Sequence, residues 1–347
     1  MGIACCAAGC HRSSRGVAPF PFTPAPDVPI ARRIPELDRF IRDEMIRDAI
    51  PGLAIALIHD GHVFWSEGYG VANSFTGRIV LADTPFDAAS IGKPLTAYAA
   101  LKLVEEGRLD LQRPLSSYLT TQFVAPSPYR DQITARHVLT HTSGLSNHIL
   151  ELTHEVAFKP GSRFRYSSVG FMYLQRVIES ITHRPFNDFM KETIFAQLGM
   201  GSTSYFLSFG ADRLARGHLD LFGQPIPMPF GPIAQPNAAI LLCSTAPDLA
   251  KFAAELMTPH FLDQKLVSQM LTDQMQGHLG EEPVSWGLGI GLQHTSRGAC
   301  FWQWGATTDF NSYLLGCPDG KIGVVILTNS SRGQMAAREI AATALGG

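Results

Sequence analysis

Strand-forming runs gather at the two ends of this 347-residue chain and thin out between them, and no other feature narrows its fold as far. Near the start, residues 53–58 and 62–66 flank Asp60-Gly61, a pair that suits a two-residue hairpin because both positions accept a positive φ. Near the end, residues 286–292, 300–304, 310–315 and 322–327 read as strands, with Asp319-Gly320 among the turns between them. The middle has helical spacing instead: Leu95, Tyr98, Ala99, Leu101 and Val104 up to Gly107, then Leu174, Val177, Ile178 and Ile181, then Leu249, Phe252, Ala253 and Leu256. Thr245 and Asp248 supply a capping start for the last of these. A first helix is expected after Pro35 on the stripe Leu37, Phe40, Ile41 and Met45, stopped by Pro51-Gly52, and a final one over about 333–345. This order predicts an α+β fold, an α/β sandwich: an antiparallel sheet built from both chain ends, flanked by helices, with an inserted helical lobe. A cleft between the lobes is the natural place for a site.

At 45% hydrophobic and 17% charged the chain is globular, and a net charge of -2 offers no basic field for nucleic acid. No run reaches the 18 or so apolar residues that a membrane span requires. Of six cysteines, Cys5, Cys6 and Cys10 crowd the first ten residues, which leaves no disulfide framework; whether Cys300 and Cys317 bond is a matter of geometry. The opening divides as a tail and proline-rich tether over 1–34 before a folded domain over 35–347. Ala7-Ala8-Gly9-Cys10 resembles the end of a bacterial lipoprotein signal, which would put a lipid on Cys10 and the protein in the periplasm or on a membrane; an inconsequential tail is the other reading. No Cys-x-x-Cys spacing occurs, and no metal or other cofactor is expected.

Chemistry enters at Ser90-Ile91-Gly92-Lys93, where the sequence turns from strand to helix. Residues three apart on a helix share a face, so the Lys93 amine can lie beside the Ser90 hydroxyl. A serine hydroxyl is a weak nucleophile at neutral pH and needs such a base to take its proton. There is no Gly-x-Ser-x-Gly elbow, which argues against an α/β-hydrolase.

Longer motifs surround this pair: residues 86–96 (FDAASIGKPLT), 107–111 (GRLDL), 133–145 (ITARHVLTHTSGL), 160–168 (PGSRFRYSS) and 301–307 (FWQWGAT). In wording and order they resemble the serine β-lactamase-related hydrolases, a family of class C β-lactamases, D-alanyl-D-alanine carboxypeptidases and esterases, across about residues 35–330. The resemblance implies a β-lactamase/transpeptidase-like fold and an acyl-enzyme on Ser90, with Lys93 and the Tyr166 phenol sharing the proton work. It implies an oxyanion hole from the backbone N–H groups of Ser90 and Ala306, with Gly305 admitting close approach. His137 and His141 fall in a segment that is structural in the family.

Two positions depart from the family pattern. Ser168 stands where the second motif, Tyr-x-Asn, has a carboxamide, and Gln303-Trp304-Gly305 lacks the Lys or His that opens the third. Ser168, Gln303, Trp304 and Gly305 are the expected substrate contacts, with Trp302 or Trp304 as an apolar wall. Without a fixed cation to pair with a substrate carboxylate, an esterase of uncharged carboxylic esters is favoured over a β-lactamase or D-amino-acid peptidase. The partner is then a small ester or amide. A catalytically silent, penicillin-binding-like sensor is the alternative from another class.

Overall fold

The computed structural model describes residues 17–25, 30–151, 153–206, 212–229 and 235–346. The cysteines of the N-terminal tail and the lipoprotein-signal reading lie outside the described residues.

Helix α1 (Ile30–Arg47) leads into strands β1 (Gly52–His59) and β2 (His62–Asn73), joined at Asp60 and Gly61 with φ of 50° and 74°. Both positive angles are what a right-twisted two-residue hairpin needs. The short strands β3 (Arg78–Ile79) and β4 (Phe86–Asp87) follow, then helices α2 (Gly92–Glu105), α3 (Ala135–Leu139), α4 (Ser168–Thr182) and α5 (Phe186–Met190). Strands β5 (His218–Leu221), β6 (Gln224–Pro227) and β7 (Cys243–Ser244) precede helices α6 (Ala246–Met257) and α7 (Gln264–Met270). The chain closes with β8 (Met275–Leu279), β9 (Glu282–Trp286), β10 (Gly291–Thr295), β11 (Gly298–Ala306), β12 (Asn311–Cys317), β13 (Ile322–Thr328) and α8 (Gly333–Leu345).

The antiparallel main sheet runs β3-β2-β1-β13-β12-β11-β10-β9-β8, so the first long strand pairs with the last, Ile55 opposite Ile326. Alternation then sorts the side chains. Leu53, Ile55, Leu57, Val324 and Ile326 join a core with Leu37 and Ile41 of α1 and Ala337, Ile340 and Ala341 of α8. Ala54, Ala56, Ile58, Val325 and Leu327 face the other way, onto Leu249, Phe252 and Leu256 of α6 and the helical lobe. Because both faces are covered, these strands read as continuous apolar runs. The expected mixed fold, with its sheet from both chain ends, holds.

Three expectations need correction. The 286–292 run is not one strand: β9 ends at Trp286 and β10 starts at Gly291. Glycines break it, since a Cβ on Gly287 would lie 2.0 Å from the Met270 carbonyl oxygen and one on Gly289 2.3 Å from the Ala97 Cβ. The first helix begins at Ile30 and carries Pro35 inside it, where the missing N–H forgoes a single i→i−4 bond, so a boundary at 35 divides a helix. The proline-rich stretch is held in its described part: Val17 N donates to Glu282 Oε2 at 3.0 Å, Tyr313 Oη to the Val17 carbonyl at 3.1 Å, and Ala25 N to the Leu345 carbonyl at 2.9 Å. Its extended backbone leaves those groups unpaired within the segment, so the body satisfies them. Cys300 and Cys317, one step beyond the Phe301–Gly316 pair of β11 and β12, form a disulfide.

Candidate active site

Ser90 sits in a single 3-10 turn, Ala89–Ile91, that runs directly into α2. The turn is tied before it starts. β4 pairs with β7, Ala88 N donates to the Leu242 carbonyl at 2.7 Å, and Ala89 N donates to Asp87 Oδ1 at 2.8 Å. Ala89 has a φ of 48°, a left-handed conformation that costs a residue with a Cβ on the order of 1 kcal/mol or more and persists only where the surroundings fix it. Here the Asp87 carboxylate and the strand pair fix it.

Lys93, on the first turn of α2, is buried, and its Nζ donates to Ser90 Oγ at 2.8 Å and to the Ala239 carbonyl. Ser90 Oγ donates to the same carbonyl at 3.2 Å. The Nζ lies 5.0 Å from the Tyr166 ring centre and 5.9 Å from that of Phe171. Tyr166 is half-buried and hydrogen-bonds to Ser90, while Gln303 Nε2 donates to its Oη at 3.2 Å. Burial pushes the phenol well above its ordinary pKa, and the two hydrogen bonds pull back only part of the way. The three reactive side chains expected to meet are therefore brought together.

His141 supports the phenol from behind, ring centres 4.2 Å apart. Its Nδ1 accepts from Ser167 N at 3.1 Å, so the neutral ring carries its proton on Nε2. Burial first, and the nearby Lys93 second, hold its pKa well below the usual value. His137 caps α3 with Thr134. Both histidines fit the structural parts expected of them.

Strand β11 lies against the Ser90 turn. A Cβ on Gly305 would sit 2.1 Å from the Ala88 carbonyl oxygen and 2.3 Å from Ser312 Oγ, and Ser312 Oγ itself donates to that carbonyl at 2.9 Å. The glycine thus admits protein backbone rather than substrate, and it brings the half-exposed Ala306 alongside the turn. Gln303 is fully buried, its Nε2 shared between Tyr166 Oη and the Trp304 carbonyl at 3.0 Å. Trp304 packs on Tyr166 with ring centres 4.7 Å apart, whereas Trp302 stacks on Tyr313 within the core. Of the two tryptophans, only Trp304 can serve as a wall.

Ser168 differs most from expectation. It is 4% exposed, and its hydroxyl and backbone N–H both go to Asn147 Oδ1, at 2.7 and 3.1 Å. Asn147 and Ala239 escape a reading of motifs, one because it reaches in from a separate loop and the other because it acts through a backbone carbonyl. Phe171 lies one turn before the Leu174–Ile181 stripe read from the sequence, and nothing there marked it as a neighbour of Lys93. Among the described residues no cluster of three or more His, Cys, Asp or Glu is placed to hold a metal.

Comparison with known proteins accords with this geometry. The family model described as Beta-lactamase matches residues 37–347. "Protein flp" of Staphylococcus aureus (strain NCTC 8325 / PS 47) is 24% identical over 319 residues, covering 85% of this chain; the chain spans 62% of the length of that relative. The penicillin-binding protein homologue from Pyrococcus abyssi superposes with a TM-score of 0.79 at 26% identity, over 90% of this chain and 76% of its own. EstCE1, described as a hydrolase with promiscuous acyltransferase activity, gives 0.76 at 21% identity over 92% and 98%. With a single family model matched from α1 to the C-terminus, the chain belongs to the β-lactamase family of serine hydrolases.

Proposed function

We propose that the protein hydrolyses uncharged carboxylic esters through an acyl-enzyme on Ser90. In this reading Ser90 Oγ attacks the ester carbonyl, and its proton passes to the amine of Lys93, 2.8 Å away. The backbone N–H groups of Ser90 and Ala306 face the oxyanion that forms. Collapse breaks the bond to the leaving alkoxide, which takes a proton from Tyr166, and Lys93 restores that proton to the phenol. Water then attacks the acyl-enzyme by the reverse route, releasing the acid and returning the hydroxyl of Ser90. Burial supports the division of labour, because it keeps Tyr166 a protonated phenol at rest and so a donor rather than the first base.

The observation that carries the substrate class is Gln303. At the position where relatives offer a cation, this chain has a neutral carboxamide, fully buried and already committed to Tyr166 and to the Trp304 carbonyl. A substrate carboxylate placed there gains no ion pair and loses its water, while a neutral acyl group meets the Trp304 ring. A charged hydrogen bond contributes about 1.5–3 kcal/mol, so its loss corresponds to about 10- to 100-fold in rate. Purified protein should therefore cleave p-nitrophenyl butyrate with a kcat/KM about 10- to 100-fold above that for nitrocefin. Equal or faster turnover of nitrocefin would instead favour the β-lactamase reading.

A further inference from the structure

The Ala239 carbonyl takes a hydrogen bond from each of the two groups between which a proton must pass, Ser90 Oγ at 3.2 Å and Lys93 Nζ. Because both donors follow that oxygen, its place helps to set the 2.8 Å between them. The carbonyl stands on an irregular stretch between β6 and β7, outside any strand ladder. Ala238 and Ala239 are fully buried, so their N–H groups need partners within the protein.

Ala239 N donates to Asn237 Oδ1 at 2.8 Å, a bond inside the stretch itself. The tie to the rest of the molecule comes from α4: Ala238 N donates to Gln175 Oε1 at 2.9 Å, and Gln175 Nε2 donates to the Pro236 carbonyl at 3.0 Å. A backbone N–H can only donate and a carbonyl can only accept, so the two contacts identify the ends of the carboxamide independently, and they agree. Nε2 also donates to Glu179 Oε1 at 3.2 Å, one turn further along the helix. Gln175 itself lies one turn beyond Phe171, whose ring centre is 5.9 Å from Lys93 Nζ. A fork that grips two peptide groups of one segment fixes its direction as well as its distance.

We propose that Gln175 is a positioning residue for the reaction: its carboxamide clamps the 236–239 segment so that the Ala239 carbonyl holds Ser90 Oγ and Lys93 Nζ together. Gln175 gives up no proton and bonds neither reacting group; it acts through the main chain it holds. Without the clamp the carbonyl is free to drift, and a misplacement of about 1 Å caused far from the chemistry costs about 100-fold in rate. The proposal rests on the reading of Ser90 as a nucleophile activated by Lys93.

A fluorophosphonate reads the nucleophile directly: Ser90 Oγ bonds to phosphorus, fluoride leaves, and the hydroxyl proton passes to Lys93. The readout is the second-order labelling rate, followed by intact mass. Gln175→Leu removes both bonds at similar volume and should label about tenfold more slowly than wild type while remaining folded by circular dichroism. Gln175→Glu keeps an acceptor for Ala238 N but turns its second oxygen toward the Pro236 carbonyl, which repels it when ionised and accepts from it once protonated. The Glu179 carboxylate beside it, itself 3.6 Å from Arg176, favours that protonation. The labelling rate of Gln175→Glu relative to wild type should therefore rise about tenfold as pH falls from about 8 to about 5, which a part played only in stability would not produce. Folded Gln175→Leu labelled at the wild-type rate, or a Gln175→Glu ratio flat across that range, would overturn the role of Gln175 and leave the activated serine standing. If Gln175→Leu does not fold, the Gln175→Glu ratio decides alone. Folded wild type that takes no label would overturn both.

Discussion

Gly305 does for the Ser90 site what no reactive group can. The 2.1 Å that a Cβ would leave to the Ala88 carbonyl oxygen means that β11 and the nucleophile's turn touch through bare backbone. Gly305→Ala must push them apart, at an overpacking cost of about 1–3 kcal/mol. A shift of about 1 Å between Ser90 and Ala306 would also lower kcat about 100-fold. A melting curve and ester kinetics on this variant check both effects; unchanged kcat would mean that β11 does not set the position of Ser90. At this scale Ser90 and Lys93 were legible in residue type and spacing, and Tyr166 through the resemblance of its motif to the family's. Asn147 and Ala239 were not, because the partnership of Ser168 with a distant loop and the use of a main-chain carbonyl depend on tertiary contact alone.

Elements carry the site through short pairings that periodicity scarcely registers. The two-residue strand β4 ends at Asp87, whose carboxylate holds Ala89 N in the strained turn. Burial, and then the nearby Asp309 carboxylate, push the Asp87 pKa up to about 7 against the pull of the Ala89 hydrogen bond. A carboxyl group raised in the folded state binds more protons there than in the unfolded chain, so its contribution to stability is full below about pH 4 and is lost as pH rises through about 7. Asp87→Asn keeps an oxygen for Ala89 N but cannot ionise. Its melting temperature should fall less than that of wild type between pH 5 and pH 8 (about those limits suffice to span the titration), and parallel curves would refute the assignment. The long elements were legible: α4, α6 and α8 show clear helical spacing, and β12 and β13 clear apolar runs. The 286–292 run misled because Gly287 and Gly289 open it to Met270 and Ala97, contacts that hydropathy does not record.

At the scale of the whole molecule, pairing the first long strand with the last closes the sheet around its own chain ends and leaves the helical lobe as an insertion. Ser90 lies where the two meet: its turn packs on β11 of the sheet, while the Lys93 Nζ lies against the rings of Tyr166 and Phe171. The distribution of strand signals along the sequence was enough to predict that arrangement, because two separated groups of strands can share one sheet only if the ends of the chain meet. The central claim is that this junction activates one serine. Intact-mass spectrometry after exposure to a fluorophosphonate probe, on wild type and Ser90→Ala side by side, tests it most directly. The account predicts a single adduct on wild type that is absent from the variant; folded wild type without an adduct, or an adduct that persists in Ser90→Ala, would contradict it.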